Sequence, residues 1–144
     1  MTYSREAVYT YVRNALVASD SSVYVTARRE PVPKSFPCVR LSEMNRTRPQ
    51  QYATLANDDN QYSSTFEVEI FSNLSNGALA EAYSLLKIAE DSFKQLGYFE
   101  VFCEALDNVD PSVFRIIGRF TKQIGEADVI PTPPSNTTPT EQTP

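Results

Sequence analysis

The stretch Ser64-Thr65-Phe66-Glu67-Val68-Glu69-Ile70-Phe71-Ser72 alternates without interruption, with Phe66, Val68 and Ile70 in one phase and Glu67 and Glu69 in the other. Successive side chains of a strand point to opposite faces, so the stretch reads as a strand with one buried face and one face open to solvent or to a partner. Downstream, Leu79, Ala82, Tyr83, Leu86, Ala89, Phe93 and Leu96 recur at helical spacing, starting near Asn76-Gly77, and Gly97 stands where a left-handed C-terminal cap is expected. Two further strand-like runs, 98–106 and 113–124, flank Asp107-Asn108-Val109-Asp110-Pro111, a turn-rich connector that predicts a hairpin. In the second run Phe114, Ile116 and Phe120 oppose Arg115, Ile117 and Arg119.

Upstream, Val8, Tyr11, Val12, Ala15 and Leu16 share a helical face, with Ser4 placed to cap and Glu6 in the first turn, which predicts a helix over 4–18. Ser19-Asp20-Ser21-Ser22 ends it, and Val23-Tyr24-Val25-Thr26 predicts a short strand. Pro31, Pro33 and Pro37 deny ladder donors, so the next strand is expected only over 38–44, where Val39 and Leu41 alternate with Arg40 and Ser42. Between 45 and 61 the pattern disappears. A structureless loop of that length is unusual inside a domain unless it binds something, which makes Arg46, Arg48, Tyr52 and Leu55 candidate contact residues.

The order helix, strand, strand, strand, helix, strand, strand implies an α+β fold. Two helices are expected on one face of a mostly antiparallel four- to five-stranded sheet. The domain is expected to span 1–126. Residues 127–144 are rich in Pro and Thr, hold five of the ten prolines and cannot build a core. They are expected to form an extended arm, with Pro131, Pro133 and Pro134 lying along a neighbouring subunit.

At 144 residues the chain has enough apolar sequence for one modest core. Thirteen Lys and Arg against eighteen Asp and Glu give a net charge of -5, which disfavours nonspecific nucleic-acid binding. The chain has no His, so the commonest general base, zinc ligand and near-neutral pH switch are missing. Cys38 and Cys103 lack a paired metal or redox spacing and are expected to be free, buried thiols. Asp58-Asp59-Asn60 lacks the spacing of a calcium loop. No metal and no cofactor are expected. The first residues lack the apolar core of a signal peptide and no window approaches a membrane span, so folding in a cytoplasm is expected. Glu67 and Glu69 invite a catalytic reading, but Arg40, Arg115, Arg119 and Lys122 offer them partners on neighbouring strands or subunits, where opposite charges fix register and partner choice. Arg40, Arg115, Arg119 and Lys122 also invite a basic face for nucleic acid, and interface charges, with Glu67, Glu69, Arg115 and Arg119 as members, are the preferred reading over nucleic-acid contact as well as over catalysis.

Taken in order, Phe36-Pro37-Cys38-Val39-Arg40-Leu41-Ser42-Glu43, Phe66-Glu67-Val68-Glu69-Ile70-Phe71-Ser72-Asn73, the helix ending Leu96-Gly97-Tyr98, and Val113-Phe114-Arg115-Ile116-Ile117-Gly118-Arg119-Phe120 resemble the tail terminator, or tail-completion, proteins of long-tailed bacteriophages. The likeness covers about residues 4–124. It implies a non-enzymatic virion protein, assembled in the host cytoplasm, that caps the head-proximal end of the tail tube as a homo-hexameric ring. Its implied partners are other copies of itself, the tail tube protein and the head connector or adaptor proteins, with DNA only as passing cargo and no membrane. The alternatives are a head-tail connector adaptor or stopper, and a monomeric bacterial α+β binding module that uses the 45–61 loop.

Overall fold

Strongly alternating segments become the long strands, and the computed structural model shows how they meet; it describes residues 3–30, 32–47, 62–108, 110–125 and 128–131. The elements are α1 (Arg5–Ser19), β1 (Tyr24–Thr26), β2 (Cys38–Thr47), β3 (Tyr62–Ser72), α2 (Ala78–Gln95), β4 (Phe99–Leu106) and β5 (Phe114–Ile124). The strands form one sheet in the order β1-β2-β3-β5-β4. Glu67, in the middle of β3, lies opposite Ser42 of β2 and Arg119 of β5.

The pairings β2 with β3, β3 with β5, and β4 with β5 are antiparallel, but β1 joins β2 in parallel. The sheet is therefore mixed, which corrects the expectation of a mostly antiparallel one. The cause lies in residues 27–37. Instead of a tight hairpin turn, this proline-bearing connection carries the chain back beside the start of β1, where the Tyr24 N–H donates to the Pro37 carbonyl at 2.9 Å. Parallel neighbours need a connection of about a dozen residues rather than a two-residue turn.

Both helices lie on one face, as the element order implied. α1 packs over β2 and against α2, while α2 packs over β3 and β5. Val8, Val12 and Leu16 of α1 and Ala82, Leu86, Ala89 and Phe93 of α2 meet Val39, Leu41, Phe66, Val68, Ile70, Ile116 and Phe120 of the sheet. Phe93 stacks on Phe120 at 4.6 Å, and the Tyr98 ring approaches Phe93 edge-on at 5.2 Å and Phe66 at 5.9 Å. These fully or nearly fully buried rings are large apolar loads in a small core.

The caps follow from sequence. The Ser4 hydroxyl accepts from the Ala7 N–H at 3.0 Å. α2 closes with Gly97 at φ 89°, the Gly97 N–H donating to the Lys94 carbonyl and the Tyr98 N–H to the Phe93 carbonyl at 2.8 Å. That pair of bonds is a Schellman closure, and it turns the chain directly into β4.

Two boundaries differ from expectation. β3 begins at Tyr62 rather than at Ser64, and β2 continues to Thr47 through an irregularity between Glu43 and Asn45, so the expected 45–61 loop loses residues 45–47 to the sheet. Its remaining candidates Arg48, Tyr52 and Leu55 lie outside the described residues, as do Pro133 and Pro134 of the expected arm. Cys38 is buried as expected, but Cys103 is exposed, because β4 is the edge strand and α2 covers little of it. After β5 the chain returns to the domain: the Gly125 N–H donates to Asp128 at 2.8 Å and Ile130 packs against the core. Among the described residues no helix is long and apolar enough to cross a membrane.

The left-handed φ at Gly97 makes a prediction. Gly97→Ala is expected to destabilise the fold by about 1 kcal/mol, because a Cβ is strained at that φ whereas the nearest atom it meets, the flexible Lys122 ammonium, can move aside. Urea unfolding of the two proteins measures it, and equal midpoints would contradict it.

Candidate functional site

The face of the sheet turned away from α1 and α2 carries a lattice of charges that arises directly from the alternation of three strands. β3 supplies Glu67 and Glu69, β2 supplies Arg40 opposite Glu69, and β5 supplies Arg119 opposite Glu67, with Arg115 one step along. Arg40 donates through Nε to Glu69 Oε1 at 2.7 Å and through its terminal nitrogen to Glu67 Oε1 at 3.2 Å and again to Glu69. Arg115 Nε donates to Glu69 Oε2 at 2.5 Å, and Arg119 Nε to Glu67 Oε2 at 3.1 Å. Every carboxylate oxygen of the pair thus accepts from a guanidinium.

These groups are far from solvated surface charges. Arg40 is 8% exposed, Glu67 6% and Glu69 2%, although neither described helix covers this face. The arginine stems, the buried Ile117 and the rings of Phe71 and Phe102 shield them; Arg119 lies over the Phe102 ring at 5.0 Å and Arg115 over Phe71 at 5.8 Å. Of the two settings foreseen for the opposite charges, the structure shows neighbouring strands of one subunit. All four oxygens of the Glu67–Glu69 pair accept from arginines of the same chain, so the pair acts as an internal clamp across β2, β3 and β5. Arg115 and Arg119, with side chains 31% and 38% exposed, are the members that reach the surface.

A second charged cluster sits at the far end of β2 on the helix side. Glu43 shares the phase of Val39 and Leu41, so its side chain points toward the helices. There it accepts from Arg46 Nε at 3.1 Å, from Arg5 at 3.4 Å and from the Ser64 hydroxyl at 2.6 Å, and Ser64 in turn accepts from the Tyr98 hydroxyl at 3.0 Å. The Arg46 guanidinium also covers the Tyr62 ring at 4.2 Å. Arg46, expected to be a loop residue, is thus a strand residue tied to the fold. It lies on the opposite face from Glu67, Glu69, Arg115 and Arg119, and Pro131 is exposed beyond β5, so the structure does not gather these residues into one patch. Glu43 went unnoticed in the sequence, although an acid in the apolar phase of a strand was the signal that could have found it.

The thiols offer no reactive centre. Burial, helped by the nearby Glu30, pushes the Cys38 thiol up to about 11, and partial desolvation of the otherwise exposed Cys103, with Glu100 and Glu90 beside it, raises its thiol too. Both stay protonated near neutrality. Among the described residues no group of acids and thiols is arranged to hold a metal ion.

Two predictions follow from these charges. Arg40→Ala removes a shared partner from both buried glutamates and is expected to cost about 3–5 kcal/mol in urea unfolding, whereas Arg119→Ala, half in solvent, is expected to cost about 1 kcal/mol. A loss of under 1 kcal/mol for Arg40→Ala would contradict the clamp. The second concerns Glu100, whose carboxyl is pushed up to about 7 by burial and by the adjacent Glu90. A raised acid pKa means that the folded chain holds the proton more tightly, so stability falls as pH rises from about 4.5 to about 7. Glu100→Gln is expected to flatten that slope and to raise stability at pH 8, by no more than about 1 kcal/mol after solvent screening. Thermal melts from pH 4 to 8 test it, and an unchanged slope would count against it.

No protein-family model matches the sequence, and no curated protein matches it either. At the level of structure the chain is similar to a chain of a solved assembly described as "Virion of native gene transfer agent (GTA) particle", with a TM-score of 0.57 and 14% identity. The alignment covers 86% of this chain and 99% of that one, so the two share a fold along nearly their whole lengths.

Proposed function

We propose that this chain is a structural component of a phage-like particle that caps the head-proximal end of the tail tube and joins it to the head connector, acting as a homo-hexameric ring. The observation that carries the reading is the shared fold with a chain of a gene transfer agent virion, aligned over 99% of that chain. The order of sequence motifs noted above resembles tail terminators and supports the same reading independently.

The charge clamp supports it as well. Three arginines and two glutamates lock β2, β3 and β5 into one register, giving a stiff plate suited to repeated packing rather than to a closing catalytic cleft. The net charge of -5 suits a conduit past which DNA slides without sticking. In this reading the partners are other copies, the tail tube protein and the head connector or adaptor proteins. Arg46, Arg115, Arg119 and Pro131 contribute the exposed parts of the contact surfaces, Glu67 and Glu69 hold the two arginines in place, and the part of 127–144 that follows Ile130, itself packed on the core, serves as an arm along a neighbour.

Electron microscopy of particles produced with and without the gene tests the proposal. Overlong tails detached from filled heads are expected in its absence. Tails of normal length with unjoined heads would replace the terminator role with that of a connector adaptor, and unaffected particles would overturn the virion reading.

A further inference from the structure

The two lateral edges of the sheet differ in charge and in covering. At one edge, β4 and the turn after it, residues 99–112, carry Glu100, Glu104, Asp107 and Asp110 with no Lys or Arg, and all four acids are exposed. At the other, the β1–β2 connection over 27–37 carries exposed Arg28, Arg29 and Lys34 against the single acid Glu30. The order β1-β2-β3-β5-β4 places these segments on opposite sides of the molecule.

Both edges also offer backbone. β5 is the only described neighbour of β4, whose outer side is therefore an open strand edge. β1 pairs only with Cys38–Arg40, so it leaves the flank of β2 beyond Arg40 without a described strand beside it. An open edge is a template for another strand, and edges that are not meant to pair are usually short or heavily charged. β4 carries Glu100 and Glu104 but also exposes Phe99 at 60% and Val101 at 52%, apolar side chains that a strand seated beside it would cover. Beside the open flank of β2 runs a groove of about 550 Å³ whose walls include Tyr9, Leu41 and Phe66 as well as Arg5, Glu6 and Glu43, the last already paired with Arg5 and Arg46. One edge is thus acidic with projecting apolar side chains, and the other is basic with a recess walled in part by apolar side chains.

We propose that the acidic β4 edge of one copy seats against the basic β1–β2 edge of a second copy, so that copies join head to tail through edge strands with Phe99 and Val101 entering the groove beside β2. The contact is heterologous: each copy uses a different surface on each side, which is the geometry that closes into rings when the rotation per step allows it. Opposite potentials on the two edges favour this pairing and disfavour β4 against β4 or the basic edge against itself. The inference deepens the ring reading and rests on it.

The test uses two charge-reversed proteins and their mixture. Glu100→Lys with Glu104→Lys and Asp107→Lys makes both edges basic; Arg28→Glu with Arg29→Glu makes both acidic. Sedimentation velocity at pH 8 and 0.1 M salt is expected to show that the unaltered chain assembles, that each variant alone associates at least tenfold more weakly, and that the equimolar mixture recovers assembly. Recovery is the particular signature, because mixing restores opposite charges at every head-to-tail contact. Circular dichroism of each variant establishes that it is folded. Maleimide labelling supplies a second readout: exposed Cys103 on β4 is expected to react at least tenfold more slowly in the assembled chain. Assembly of the unaltered chain with no effect of either variant, or weakened variants whose mixture stays apart, or an unchanged labelling rate would overturn the edge contact while leaving the ring reading standing. A chain that stays monomeric at millimolar concentration would overturn both.

Discussion

Three charged side chains, Arg40, Glu67 and Glu69, taken almost entirely out of water on a face that neither described helix covers, set the terms for the rest of this structure. An isolated buried charge is far more expensive than any single contact in a domain of this size can repay. Glu67 and Glu69 are tolerable only because β2 and β5 both deliver arginines at the right register. A slip of one residue in either pairing would leave a carboxylate facing aliphatic carbon. The clamp is weak evidence for net stability, since a well-packed apolar replacement could do as well. Its effect is to make one alignment of the three central strands far better than its neighbours.

That alignment then positions everything else. With β3 between β2 and β5, the opposite face presents Phe66, Val68 and Ile70 to α1 and α2, and the aromatic cluster of Phe66, Phe93, Tyr98 and Phe120 forms where the end of α2 passes over the sheet. Tyr98 links the two chemistries: its ring belongs to the core, and its hydroxyl reaches Ser64 and through it the Glu43–Arg46 pair. The two edge strands, outside this frame, differ in kind. One is a short parallel strand followed by a basic connection, and the other a long, solvent-exposed acidic strand.

Much of this was legible in the sequence for a definite reason: local periodicity reports which face a side chain takes. The alternation over 64–72, the apolar face of α2, the Gly97 cap and the hairpin around Asp110 all belong to that kind of information. What periodicity does not report is what lies on the other side. The burial of Glu67 and Glu69 depends on arginines about 30 and 50 residues away, and the parallel placement of β1 depends on where a proline-rich connection returns. Cys103 sits among apolar neighbours in sequence, but its strand is an edge, and being an edge is a property of the whole sheet. Glu43 and the extension of β2 to Thr47 were missed because the bulge after Glu43 breaks the alternation just where it would have been read. Among the candidate interface residues, Arg115 and Arg119 share a face with the two glutamates, while Arg46 lies on the opposite face.

The strand order also has a consequence in time. The hairpin of β4 and β5 closes over a handful of residues, whereas β3 meets β5 only across the whole of α2 and β4, with Ser72 opposite Phe114 and Tyr62 opposite Ile124. Closing so long a loop costs chain entropy before any of the central contacts reward it, which places this protein among slower-folding topologies. Until β3 docks, its two glutamates remain hydrated and repel premature burial of that strand. The same charges that select the final register therefore also keep the nascent chain soluble while it waits, an advantage for a polypeptide that exposes an open strand edge.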